Sequence, residues 1–130
     1  MKGFTAKNWK KKLVRFPTED SFSFDHTDGI ISVADGVTRD CKNGAVAIAS
    51  LKGAKDIFLH YPRPSPAKIT SEIFTKTFQT ILRDYYRINR NEEAIRNAFE
   101  EANSKIKEWN QNNIPNTDYL VNDFAGCVAA

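Results

Sequence analysis

The sequence predicts an α+β fold in which helices pack against an antiparallel β-sheet. Residues 21–34 contain two short strand patterns separated by a polar turn, which indicates a β-hairpin. Residues 66–109 instead repeat apolar side chains every three or four positions, which indicates helices with one buried face. A further apolar run over residues 124–130 predicts another strand. Strands on either side of a helical stretch suggest one sheet covered by helices.

Length and composition indicate a single globular domain. The chain has 130 residues, of which 41% are hydrophobic and 27% charged, and its net charge is +3. This charge is too small to predict nucleic acid as a partner, and the basic cluster at residues 7–12 is better explained as a solvated strand edge. The two cysteines lack zinc-site spacing, so we expect reduced thiols and a cytoplasmic protein. The sequence contains no apolar run of membrane-spanning length, so we expect no membrane partner.

The hairpin pattern also predicts its own register. Ser21–Phe24 alternates small polar with aromatic side chains, and residues 26–29 form the turn, where Gly29 supplies a positive φ. If Asp25 pairs with Ile30, each face of the hairpin comes out consistent, whereas a slip by one residue would mix the two faces. The opposed pairs are then Ser21–Ala34, Phe22–Val33, Ser23–Ser32 and Phe24–Ile31.

The same register sets Asp20 against Asp35 at the open end of the hairpin. Like charges at opposed strand positions are destabilising, and a divalent cation with oxygen ligands would compensate. We expect Gly36 to turn the backbone sharply and bring a carbonyl to the same ion. Glu19 adds a third carboxylate, and Arg15 is suited to bind a phosphate. Because Asp and Gly also end strands as turn formers, an ordinary solvated loop is the alternative.

Three helices are expected between the hairpin and the last strand. The first covers residues 45–59, although Gly53 weakens it. The second starts with Ser65 as N-cap and Pro66 as the first helical residue, and the third starts after Asn91 as N-cap. The predicted buried stripes are Ile69, Ile73, Phe74, Phe78, Ile81, Leu82 and Tyr85 in the second helix and Ile95, Ala98, Phe99, Ala102, Ile106 and Trp109 in the third.

Residues 111–117 are expected to form a loop, and residues 119–121 and 124–130 to return to strand. The last strand is apolar on both faces, as an interior strand would be. We therefore expect its open edge to pair with another copy of the chain or with a further C-terminal segment. On this interpretation residues 1–130 are one incomplete, N-terminal portion of a larger domain.

Taken in order along the chain, these motifs resemble the metal-dependent (type 2C, or PPM) Ser/Thr protein phosphatases. The resemblance covers nearly the whole chain. It departs after Gly36, where Val37-Thr38-Arg39 stands in place of the family's Gly-Gly pair. The matching segments are Arg15, Glu19-Asp20-Ser21, Val33-Ala34-Asp35-Gly36, residues 43–50, residues 98–106 and residues 124–130.

The resemblance implies an α/β/β/α sandwich and the hydrolysis of phosphoprotein Ser/Thr esters by a water activated by two Mg²⁺ or Mn²⁺ ions. In this family's pattern Asp35 bridges the two metals, Gly36 adds its carbonyl, and Asp20 acts directly or through water. Glu19 joins the metal site, and Arg15 holds the substrate phosphate.

Two other interpretations of the sequence compete with a PPM phosphatase. The family takes further Asp ligands from a C-terminal half, which residues 1–130 do not contain, so a non-catalytic binding or regulatory module is the alternative. Haloacid-dehalogenase-type phosphatases also carry Asp-Gly-Val-Thr after a strand, as in residues 35–38. Their nucleophilic Asp lies two residues earlier, where this chain has Val33, and an aliphatic side chain cannot attack phosphorus.

Overall fold

The computed structural model describes residues 18–37, 53–88, 91–114 and 125–130, and it confirms an α+β arrangement of helices on an antiparallel sheet. Several predicted features lie outside these residues, namely Arg15, the strand edge at 7–12, residues 45–52 of the first helix and the strand at 119–121. No helix in the described ranges is long and apolar enough to cross a bilayer. The elements are β1 (Ser21–Asp25), β2 (Ile30–Val37), α1 (Ala54–His60), α2 (Pro66–Ile88), α3 (Glu92–Asn113) and β3 (Gly126–Ala129).

The hairpin has the predicted register. All predicted pairs between β1 and β2 are present, from Asp25 opposite Ile30 to Ser21 opposite Ala34. Gly29 has a φ of 69° in the turn, as expected for a glycine there. Asp25 Oδ1 accepts hydrogen bonds from the backbone N–H groups of Thr27 and Asp28, at 2.8 and 3.3 Å, which fixes the turn from inside.

β3 pairs antiparallel with the far half of β2, which gives the strand order β1-β2-β3. Asp35 lies opposite Val128 and Gly36 opposite Cys127, so β2 continues to Val37. The prediction that Gly36 turns the backbone sharply is therefore wrong. The pairing with β3 keeps this residue extended within the ladder.

α2 lies across the sheet and contacts all three strands, and α3 packs on α2. The core between them combines aromatic and aliphatic residues of α2 with alanines of α3. Its buried members are Ile30, Ala34, Phe74, Phe78, Leu82, Ala94, Ala98, Ala102 and Ile106.

The helix starts agree with the sequence signals. Ser65 Oγ accepts from the backbone N–H of Lys68 at 3.1 Å, and α2 begins at Pro66. Asn91 Oδ1 accepts from the backbone N–H of Ala94 at 3.0 Å. Of the predicted first helix, the described part begins at Ala54, directly after Gly53 with its φ of 93°.

Three details of the helices differ from the prediction. Ile95, Phe99 and Tyr85 were expected in buried stripes, but they are exposed. The predicted burial of Ala98, Ala102 and Ile106 in α3 is confirmed, and Ala94 is buried as well, because alanines allow a close approach to α2.

The loop predicted from residue 111 begins later, since α3 continues to Asn113. Asn110, near its end, is fully buried. Its Nδ2 donates to the carbonyl of Ala125, and its Oδ1 accepts from the N–H of Ala125, both at 2.8 Å. This double hydrogen bond ties the end of α3 to the start of β3 and explains why a polar residue occupies a core position.

Candidate functional site at the open end of the hairpin

Asp20 and Asp35 lie at the same end of the hairpin. Ser21 opposite Ala34 is the last pair of the β1–β2 ladder, so Asp20 directly precedes it and Asp35 directly follows it. Asp35 is exposed and Asp20 half-buried. Because side chains alternate along a strand, Asp35 lies on the face that carries Val33, away from the helices. The structure thus places both residues at the same end of the hairpin, one position beyond the last pair of the ladder.

Gly36 is needed for a reason that the sequence did not reveal. A Cβ at this position would lie 2.4 Å from the carbonyl oxygen of Ala67 and 2.7 Å from that of Glu19. Both neighbours are backbone atoms, which cannot swing aside as a flexible side chain can. The first turn of α2 and the segment before β1 therefore pack directly on this strand residue.

Glu19 is buried, and its side chain is directed into the protein. Its Oε1 accepts hydrogen bonds from Tyr61 Oη at 2.5 Å and from Ser65 Oγ at 2.7 Å, and its backbone carbonyl accepts from Ser71 Oγ at 2.6 Å. A carboxylate at the start of a helix is also stabilised by the helix dipole. The role of Glu19 as a metal ligand stays a prediction, whereas its role in anchoring the start of α2 is visible.

A surface cavity of about 500 Å³ opens beside Asp20. Lys68, Glu72 and Lys76 of α2 contribute to its lining. Lys68 Nζ donates to the carbonyl of Asp20 at 2.8 Å and lies 3.3 Å from Glu72 Oε1. Two ammonium groups that line the same cavity as Asp20 can attract an anion such as a phosphate. The sequence signal for this arrangement is their spacing of four residues, which places all three charges on one face of the helix.

Cys127 lies opposite Gly36 in the ladder, with its side chain towards α2. Burial, and to a smaller extent the negative charge of Asp35, raises the pKa of this thiol from 9.0 to about 11. At neutral pH the thiol is therefore protonated and is not a nucleophile.

The two histidines, which are the other common type of metal ligand, do not complete a metal site with these carboxylates in the part of the chain that the structure describes. Within the described ranges, no three side chains among His, Cys, Asp and Glu form a group that could hold a metal ion. His26 lies in the turn at the opposite end of the hairpin, with its ring 4.2 Å from that of Phe24, and His60 ends α1. Arg15 lies outside the described residues.

Compared with known protein families, curated proteins and solved structures, the chain gives no match.

Proposed function

We propose that the open end of the hairpin is part of the metal centre of a metal-dependent phosphoprotein phosphatase of the PPM type. The observation that supports this most directly is the β1–β2 register, in which Ser21 pairs with Ala34. This pairing puts Asp20 and Asp35 at the same end of the hairpin, which supports a shared role for them.

The donor atoms proposed for this site are of the type that a hard divalent cation prefers. Asp20 and Asp35 supply carboxylate oxygens, and Gly36 adjoins them with a backbone carbonyl. Mg²⁺ and Mn²⁺ prefer oxygen ligands of this kind, and two neighbouring carboxylates are stabilised by a cation between them.

Each residue has a proposed part in the reaction. Asp35 would bridge two Mg²⁺ or Mn²⁺ ions, Gly36 and Asp20 would complete their coordination, and Glu19 would support the same site. The ions would supply Lewis-acid activation of water and charge neutralisation. Arg15 would hold the substrate phosphate with a bidentate contact.

We also propose that the complete fold is an α/β/β/α sandwich, in which a second sheet covers the face of the hairpin opposite the helices. Large apolar side chains on that face support it, since Phe22, Ile31 and Val33 are 44–54% exposed. Contiguous exposed apolar surface commonly marks a site of further packing. The two aspartates would then lie at the mouth between the two sheets.

Calorimetric titration with Mn²⁺ tests the metal site. The chain should bind Mn²⁺, and Asp35→Asn should weaken binding by about tenfold or more, because a bridging carboxylate loses its charge. Asp84→Asn is the matched control, because Asp84 is an exposed acid of α2 outside the site. Equal binding by the wild type and Asp35→Asn would refute the assignment of Asp35. Asp35 is exposed, so the variant should keep the fold, which circular dichroism checks.

The second candidate function is a non-catalytic binding or regulatory module. It is favoured by the position of the acidic residues after Asp40 in the described chain, which lie on helix surfaces and are half-buried or exposed. Hydrolysis of p-nitrophenyl phosphate with Mn²⁺ separates the two functions. Turnover abolished in Asp35→Asn supports the phosphatase, whereas Mn²⁺ binding without turnover supports the module. The acidic residues concerned are Asp56, Glu72, Asp84, Glu92, Glu93, Glu100, Glu101 and Glu108.

A further inference from the structure

The outer edge of β3 offers backbone hydrogen-bonding groups that no described strand uses. Val33 and Ala130 exchange both backbone hydrogen bonds, at 2.9 and 3.0 Å. In an antiparallel ladder the next pair, Ala34 and Ala129, then directs its N–H and C=O groups away from each other. Cys127 has the same orientation as Ala129, two residues along. Both therefore aim their backbone groups at the side of β3 where the described sheet ends.

A cavity of about 370 Å³ lies beside this edge, between β3 and α3. The side chains of Cys127 and Ala129 border it from the sheet, and Phe74, Phe99 and Ile106 border it from the helices. Phe99 is 38% exposed there although it is a large apolar side chain. A strand added next to β3 would send every second side chain into this cavity.

The charge around the cavity indicates what such a strand carries. Glu100 contributes a carboxylate to the lining and Asn103 an amide, and no lysine or arginine of the described chain lines it. A lysine or arginine on the incoming strand would therefore find an opposite charge. A second copy that paired antiparallel through the same edge would instead bring its own α3, with its own Glu100, to the same side of the joined sheet. Charge complementarity thus disfavours self-pairing.

We propose that the outer edge of β3 binds an extended segment of another polypeptide, which adds as a strand, places an apolar side chain in the adjacent cavity and presents a basic side chain to Glu100.

The probe is a blocked synthetic peptide, Thr-Val-Thr-Val-Thr-Arg-Thr, with two valines and an arginine on one face. Binding to the whole chain is measured by titration, with nuclear magnetic resonance to follow the amides. We expect hydrogen exchange at the N–H groups of Cys127 and Ala129 to slow about tenfold or more on binding, since each gains a strand partner. Replacing the arginine of the peptide by glutamate should weaken binding about fivefold or more.

Two variants test the pairing edge and the charge separately. Ala129→Pro removes an outward N–H without removing a hydrogen bond to β2, and it should weaken peptide binding about tenfold. Glu100→Lys lies on the exposed surface of α3, so it should fold normally and reverse the preference between the arginine and glutamate peptides. Glu101→Lys is its matched control, because Glu101 is an exposed neighbour that does not line the cavity.

Several outcomes overturn the proposal. Equal affinity of the wild type and Glu100→Lys for both peptides would remove the charge argument. Amide shifts confined to β1 would place the binding edge elsewhere. Strong protection of Cys127 and Ala129 in the free monomer would show that the edge is already covered by this chain. A dimer in sedimentation experiments that Ala129→Pro dissociates would identify the occupant as a second copy.

Discussion

The two faces of the sheet differ in burial, and the larger hydrophobic side chains lie on the more exposed face. The face towards α2 is buried, yet apart from Ile30 it carries mainly small and polar residues. The opposite face carries large apolar residues, and they are about half exposed or more. The buried face includes Ser21, Ser32, Ala34 and Gly36, and the exposed face includes Phe22, Ile31, Val33 and Val128.

The difference shows that close approach of α2, rather than apolar area, determines what lies beneath it. Small side chains let the helix backbone come near the strands, as the space around Gly36 shows. The hydroxyl groups trapped there are paired, with Ser21 Oγ 3.0 Å from Thr75 Oγ1 and Ser23 Oγ 2.6 Å from Ser32 Oγ. Paired hydroxyls cost little to bury. The large side chains remain for contacts on the other face.

Gly36→Ala should break this arrangement most severely. The added methyl group would overlap backbone atoms of Ala67 and Glu19, so α2 must move away from the sheet. We expect a loss of about 3 kcal/mol in the free energy of unfolding. Urea denaturation followed by circular dichroism measures it.

Gly29→Ala is the control for the general cost of replacing a glycine. Its Cβ would meet nothing within 4 Å, but its φ of 69° is unfavourable for alanine. This variant should lose only about 1 kcal/mol. A loss for Gly36→Ala no larger than that would contradict the close packing of α2 on β2.

Opposite substitutions at two adjacent residues of β2 test the two faces directly, because one residue lies on each face. Ser32→Leu places a large side chain under α2 at a fully buried position and should lower the free energy of unfolding by about 2 kcal/mol. Val33→Ser makes the opposite change one residue later, on the exposed face, and should cost about 1 kcal/mol or less. Thermal and urea melts of both variants provide the comparison. A larger loss for Val33→Ser would show that the exposed face is the main core of the folded chain.

The register of the hairpin and the starts of two helices were predictable because each depends on residues close in sequence. The alternation in Ser21–Phe24 and the glycine of the turn fix the pairing. Ser65 and Asn91 cap their helices through side-chain contacts within three residues. The placement of Asp20 and Asp35 at the same end of the hairpin follows from the same local pattern.

Features that depend on distant residues could not be predicted in this way. Alternation predicts two faces but not which face the helix covers, and that choice depends on how closely α2 approaches. The hydrogen bonds of Glu19 to Tyr61 and Ser65 span more than 40 residues. The burial of Asn110 depends on β3, which follows it across residues outside the described ranges. The sequence indicated that Gly36 has a structural role, but it predicted a sharp turn. The actual role is to leave room for the backbone of Ala67 and Glu19.

The smallest expected effect concerns the ion pair at the closed end of the buried face. Asp25 Oδ2 lies 2.5 Å from Arg83 Nη2 of α2. The backbone N–H of Thr27 holds the pKa of Asp25 below its ordinary value of 3.8, with further help from Asp28 and Arg83 and against the effect of burial. Because the pKa of Asp25 is lower in the folded chain, the unfolded chain takes up the proton more readily as the pH falls. The stability from this carboxylate is therefore present above about pH 4 and lost as pH falls through the lowered pKa.

Asp25→Asn separates the effect of the charge from that of the hydrogen bonds. The amide oxygen can still accept from Thr27 and Asp28, but the negative charge next to Arg83 is lost. The wild type should exceed Asp25→Asn in urea midpoint at about pH 6, and the difference should shrink as pH falls below about 4, where protonation makes the two side chains alike. Asp84→Asn, on the exposed surface of α2, is the control for losing a carboxylate outside the buried face. A difference between the wild type and Asp25→Asn that stays constant down to about pH 2 would mean that the contribution of Asp25 is not ionic. The polar face would then be held by its hydroxyl pairs and by the close approach of α2 alone.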